Sequence, residues 1–214
     1  MAQISSVAVE CSEKAIIPYY QPQPDMCQPT CVKVVLDSLS SRHKAKKLRL
    51  SLRTITKLCE YKRGLGSPSD AAIDNLNRKI KKSNFAVTNK VAPEANIGLL
   101  QNILESCCFP IVALSPKYFD EYKNRSYEVQ EGVPYEHAVI IIKIDPIEEI
   151  IYFFDPWEKY AKKRLSSNEL PPNSLIYPKF IKLWNDANRW VMWIHQTKVP
   201  AGGVKGQKRI EEWG

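Results

Sequence analysis

The chain has 214 residues, 44% of them apolar and 25% charged, which suits one globular domain with its own core and shows no compositional shift that would divide it. No apolar run reaches the roughly 18–20 residues that cross a bilayer, and residues 1–10 lack the basic start and long apolar stretch of a signal peptide, so a soluble, cytoplasmic chain is expected unless export leaves no such mark. Six cysteines are too few for a disulfide framework at this size and read as reduced thiols, while the formal charge of +8 points to a polyanionic partner or to a solvated face.

Residues 1–19 are a lead-in in which an alternating patch at 4–9 and the run Ala15-Ile16-Ile17 each fit a short edge strand. Residues 20–39 then pass from a polar loop broken by Pro22 and Pro24 to a segment with Val32, Val35, Leu36 and Leu39 at helical spacing. A cysteine, Cys27, sits where that helix begins. The first turn of a helix has unpaired N–H groups and the positive end of the macrodipole, both of which favour negative charge on a sulfur placed there. Pro29 suits a first helical turn, and Asp25 is the expected cap. Cys31, one turn on, is expected to face the core.

Beyond the helix, Arg42, His43, Lys44, Lys46, Lys47 and Arg49 form the densest basic cluster. It reads as a solvated connection over 40–49 rather than a nucleic-acid surface, since no aromatics interleave with the charges as single-strand binding would require. A short helix follows at 51–61. The Gly, Ser and Asp residues of 64–70 then punctuate the chain and supply caps for a helix at 71–82, with Ile73, Leu76 and Ile80 on one face. A strand is expected at 84–87, a helix at 96–108 ending in Cys107-Cys108, and a buried strand at 111–114. The paired cysteines read as core filler. No second Cys or His pair stands at ligand spacing, so neither a metal nor an organic cofactor is expected. Residues 115–134 form a polar, tyrosine-rich excursion of the kind that lies near a site.

His137 opens an almost continuous apolar run to Ile144, the turn residues 145–149 break it, and residues 150–154 resume it. This is the pattern of a buried β-hairpin. A turn centred near Ile147 sets residue 139 opposite residue 155 and brings His137 and Asp155 to the same end. Asp145, the rival carboxylate, lies eight residues along the strand, roughly 26 Å away at about 3.3 Å per residue. The other histidines read as ordinary: His43 belongs to the basic cluster, and His195 follows the apolar run 190–194. Residues 175–183 suggest a helix anchored by Phe180, Leu183 and Trp184, and residues 190–194 a final strand. Trp184, Trp190 and Trp193 read as packing, and Trp157 as a wall of a cleft beside the acid. The division expected is a domain over 1–199 and a flexible tail over 200–214.

In chain order the candidates are Gln21, Cys27, His137 and Asp155. They suit an oxyanion donor, a thiolate nucleophile at a helix start, a base at a strand start and an orienting acid on the neighbouring strand. This ordered set resembles the papain-like cysteine peptidases. Within them it is closest to the bacteriocin-processing peptidases that remove double-glycine leaders and to their stand-alone relatives. That group has a Gln six residues before the Cys that opens the first helix, and a His-led apolar strand followed by an Asp-Pro or Asn-Pro step. Here those are Gln21, Cys27 in Asp-Met-Cys-Gln-Pro-Thr-Cys, His137 with the apolar run behind it, and Asp155-Pro156. The likeness extends over about residues 18–194.

The resemblance implies an α+β fold, with a helical half holding the nucleophile helix against an antiparallel sheet, and hydrolysis of a peptide or protein amide bond without a cofactor. The chain departs from the family where Gln28 follows the cysteine in place of the usual Gly, which would narrow the cleft. No transporter segment accompanies the domain, so a leader peptide is not implied as substrate. Two other functions fit the same residues: a papain-fold acyltransferase or transglutaminase-like enzyme, and a non-catalytic module binding through its basic face.

Overall fold

A computed structural model of the chain describes residues 9–10, 16–23, 25–67, 70–117, 136–157 and 173–197. In chain order the elements are β1 (Val9–Glu10), α1 (Cys27–Arg42), α2 (Leu52–Leu58), α3 (Ala71–Ile80), β2 (Phe85–Lys90), α4 (Ile97–Glu105), β3 (Ile111–Leu114), β4 (His137–Asp145), β5 (Ile150–Phe154), β6 (Asn173–Ile176), α5 (Tyr177–Asp186) and β7 (Val191–Gln196). Short 3-10 turns lie at Lys46–Leu48 and Lys81–Ser83. The strands form one antiparallel sheet in the order β2-β7-β3-β4-β5-β6, with β1 added alongside the far half of β4. The α+β class expected from the sequence is the one observed.

β4 is the centre of this sheet. Its residues from His137 to Ile142 are buried without interruption, which requires cover on both faces. α1 and α4 pack against β4, and α5 packs against β3 on the neighbouring strand. An unbroken run of Val and Ile therefore reads here as a doubly covered strand rather than an amphipathic one. Across the hairpin, Ile140 pairs with Phe154, the register that sets 139 opposite 155, as the apolar pattern predicts. A bulge between Ile141 and Lys143 then shifts the pairing by one, so that Asp145 faces Ile150 at the turn.

Several elements depart from the sequence reading, each for a tertiary reason. α1 runs on through Arg42, and the basic stretch behind it is a 3-10 turn pinned by the fully buried Leu48. Asp25 does not cap α1. The N-cap is Met26, without a side-chain bond, and the Asp25 carboxylate instead takes the Tyr61 hydroxyl at 2.8 Å and the Gly64 N–H. Asp70 likewise holds the N-cap position of α3 without a capping bond, because its Oδ1 accepts from Asn89 Nδ2 at 3.0 Å and Trp190 Nε1 at 3.4 Å. Capping by Ser51 on α2 and Asn96 on α4 follows the ordinary pattern.

Ile16 and Ile17 form no strand. Ile16 enters the core and the Ile17 N–H donates to Ser38 Oγ on α1 at 2.8 Å. Leu175 and Ile176 belong to β6, paired with β5, and the helix begins only at Tyr177 with Pro178 in its first turn. β2 and β7 extend beyond their predicted ends because they pair with each other along their full length, from Phe85 opposite Gln196 to Lys90 opposite Val191. Only Cys108 of the vicinal pair is core; Cys107, in the left-handed region at the end of α4, is exposed. Residues 4–8, most of the 115–134 excursion and the tail at 200–214 lie outside the described residues.

Candidate active site

Cys27 is the first residue of α1, with Pro29 in the same turn, and it is 8% exposed. Its thiol donates toward the carbonyl of Glu136 at 3.9 Å, so the head of α1 abuts the residue before β4. His137, the first residue of β4, is 1% exposed and places Nε2 at 2.8 Å from Oδ1 of Asp155. Nε2 is engaged by the carboxylate, and Cys27 lies close enough to the ring to favour its protonated form. Three side chains far apart in the chain thus come to one corner of the fold: a thiol, an imidazole and a carboxylate.

The electrostatics of that corner follow from its burial. Desolvation by itself lowers the pKa of His137, but the charge of Asp155, its hydrogen bond and the contact with Cys27 outweigh burial and push the value up to about 9. The imidazole is therefore protonated at neutral pH, and both ring nitrogens are donors. Asp155, also 1% exposed, is further satisfied by the Trp157 N–H, which donates to the same Oδ1 at 2.8 Å. A carboxylate taken this far out of water needs both partners.

Gln21 reaches the same corner by its backbone. Its N–H donates to the carbonyl of Pro156 at 3.0 Å, stitching the segment before α1 to the turn after Asp155. The carboxamide is buried, 6% exposed, and its Nε2 donates to the Gln23 carbonyl at 3.0 Å. The carboxamide thus closes a loop on Gln23. Tyr20 packs on Phe154 with the rings tilted and their centroids 5.6 Å apart, adding an apolar contact to the same junction.

Cys31 is wholly buried and its thiol donates to the Ala138 carbonyl at 3.3 Å, so it faces the core as expected. Burial first, then the nearby Cys27 and Asp155, raise its pKa well above the ordinary thiol value, which keeps it protonated. The remaining histidines lie elsewhere. His43 packs on Phe85 and bonds with Gln196, its pKa lowered by burial and by Arg42. His195 bonds with Thr88 at 3.0 Å. Gln28 is buried. Trp157 is half-buried and packs on the core beside the acid. Among the described residues no group of three His, Cys, Asp or Glu side chains is placed to hold a metal ion. None of the described helices is long and apolar enough to cross a membrane.

Sequence reading missed the latch at Asp25. Two residues before Cys27, it ties the loop that carries Gln21 to Tyr61 and Gly64, and burial followed by the Asp25 contact raises the Tyr61 pKa to about 12. Its only signal in the sequence is an aspartate beside a helix start, which is also the signal of a cap.

Comparison with known proteins gives the family and the fold. A family model described as "Peptidase_C39 like family" matches residues 13–188. Among solved structures, a proposed C39-like peptidase from Bacillus anthracis matches with a TM-score of 0.58 at 13% identity, over 89% of this chain and 98% of that one. At that identity the likeness is one of fold. No curated protein sequence matches the chain. The chain belongs to the peptidase C39-like family and has the α+β fold of the papain-like cysteine peptidases.

Proposed function

We propose that the chain is a cysteine peptidase that hydrolyses a peptide or protein amide bond with Cys27 as nucleophile, His137 as acid and base, Asp155 as the orienting carboxylate and Gln21 as oxyanion donor. The observation that carries this reading is the buried His137–Asp155 pair at 2.8 Å with Cys27, a thiol at a helix start, near the ring. In the first step the Cys27 thiolate attacks the carbonyl carbon, and the oxygen takes up the displaced electron pair. The Cys27 N–H, at the head of α1, and the Gln21 carboxamide receive that charge. His137 then gives its Nδ1 proton to the departing amine, leaving an acyl-thioester. In the second step His137 takes a proton from water, the hydroxide attacks the thioester, and the sulfur leaves as thiolate. Asp155 keeps Nε2 protonated throughout, so the ring presents Nδ1 to the sulfur.

Intact-mass analysis after treatment with iodoacetamide or an epoxide inhibitor of papain-type enzymes tests the nucleophile. Cys107 is exposed and takes up alkylating reagent in any variant, and Cys11 lies outside the described residues, so the comparison is made in a background carrying both Cys11→Ser and Cys107→Ser. The expected result is one adduct, mapped to residue 27, that disappears in Cys27→Ala together with cleavage of a peptide library. Equal labelling with and without Cys27 would count against the proposal.

A further inference from the structure

The positive charge of this protein is distributed unevenly. Residues 38–59, which contain the cluster at 42–49, include no acid, and neither do residues 75–93, which contain Arg78, Lys79, Lys81 and Lys82. These two stretches are separate in the chain but meet in the fold. The turn Lys46–Leu48 packs against the turn Lys81–Ser83, and each turn presents a pair of lysines. Leu48 and Ile80 are the buried anchors, so Lys46, Lys47, Lys81 and Lys82 are all exposed, flanked by the exposed Lys44 and Arg49. The strand beside the second turn, β2, and its partner β7 carry no acid either. On α1 the nearest carboxylate, Asp37, is already paired with Lys33.

Helix dipoles do not account for this arrangement. α1 and α3 both end here, and their negative ends attract the basic residues of their own last turns, Arg42 and Arg78 with Lys79. The paired lysines lie beyond those ends. Held on two rigid turns with no counter-charge among the residues that meet there, they form a concentrated positive field. The composition of the patch narrows the partner. Among the described residues the exposed large apolar side chains, Ile17, Tyr19, Leu65, Ile147 and Ile176, all lie on other elements, so the described patch carries neither the apolar wedge of a membrane-surface site nor the stacking rings of a single-strand site. Lysine and arginine without apolar or aromatic companions suit recognition of regularly spaced phosphates.

We propose that this face binds the phosphate backbone of double-stranded nucleic acid without reading its sequence. Cys27 opens α1 and the patch lies past its other end. A 16-residue helix at about 1.5 Å per residue separates the two by about 24 Å, so the duplex site is distinct from the peptidase site. The proposal does not depend on the peptidase reading.

Fluorescence anisotropy with a short labelled duplex, titrated with the full chain at about 50 and about 200 mM salt, tests it. Wild type is expected to bind at the lower salt and to weaken steeply at the higher. Lys47→Glu with Lys82→Glu is expected to reduce affinity about tenfold or more and to flatten the dependence of log K on log salt by about 2. Lys179→Glu with Lys182→Glu, on the exposed side of α5, changes the net charge equally and is expected to have a much smaller effect. Lys47→Gln with Lys82→Gln, checked for folding by circular dichroism, is expected to follow the direction of the first pair. Absence of duplex binding by wild type at low salt, equal loss in the two charge-matched pairs, or stronger binding to vesicles of anionic lipid or to a single strand would each overturn the proposal.

Discussion

The hairpin of β4 and β5 carries an aspartate-proline step at each end, and the two steps are locally alike. In each, Oδ1 of the aspartate accepts the N–H two residues on: Ile147 donates to Asp145 at 3.2 Å, and Trp157 donates to Asp155 at 2.8 Å. This is the turn that an Asx side chain makes with its own backbone. Beyond it the two ends differ. Asp145 takes a second turn N–H, from Glu148 at 3.1 Å, and stands 3.8 Å from Lys143 Nζ at the protein surface. Asp155 is buried and holds a histidine. One dipeptide closes a turn at one end and anchors an imidazole at the other. What separates them is the strand register, which delivers His137 to one end only.

Replacing the two carboxylates in turn tests that difference. Asp155→Ala is expected to have the largest effect. It releases the imidazole from its orientation and should lower kcat/KM about 10²-fold or more, measured on any peptide that wild type cleaves. It also leaves His137 buried without its counter-charge, for a loss of about 3–5 kcal/mol in chemical denaturation. If Asp155→Ala retained near-normal activity and stability, the distinction between the two ends would collapse.

The pH dependence sharpens the same contrast. The folded state binds the His137 proton more tightly than the unfolded chain, whose value is near the ordinary 6.5. The resulting stabilisation is fully present below pH 6.5, where both states hold the proton, and is lost as pH rises through about 9. Denaturation at a series of pH values should show this decline in wild type and in Asp145→Ala but not in Asp155→Ala. A proton NMR titration of the His137 ring should follow the group directly. The smallest effect is expected for Asp145→Ala: a change in activity of less than about twofold and a loss of about 1 kcal/mol from the turn bonds. An effect of Asp145→Ala on catalysis comparable to that of Asp155→Ala would mean that the turn, not the open end, positions the site.

Much of the architecture follows from local pattern. The apolar spacing after Cys27 predicts the helix start to the residue, the runs at 111–114 and 150–154 coincide with β3 and β5, and the turn near Ile147 sets the pairing of Ile140 with Phe154. These features are legible because hydrophobic periodicity and turn chemistry act over a few residues and need no distant partner. Even the bulge at Ile142 leaves the open end of the hairpin in the predicted register, since it lies on the turn side of Ile141.

Partner choice by polar groups is not local, and there the sequence misled. Asp25 and Asp70 stand where caps belong, yet each bonds to side chains that another part of the chain brings close. Ile176 looks like the start of a helix until β5 offers it a strand to pair with. Neither the contact between Cys27 and His137 nor the meeting of the two lysine turns has a local cause. From the residues in order come the helix that opens with a thiol, the strand that opens with an imidazole, and the antiparallel hairpin that carries it. The approach of sulfur to ring, the pairing with Asp155 that raises His137 to about 9 against the effect of burial, and the assembly of one basic face depend on packing α1 against β4, on the β4–β5 pairing and on packing the two turns against each other. Burial and electrostatic coupling arise only when segments distant in the chain exclude water together.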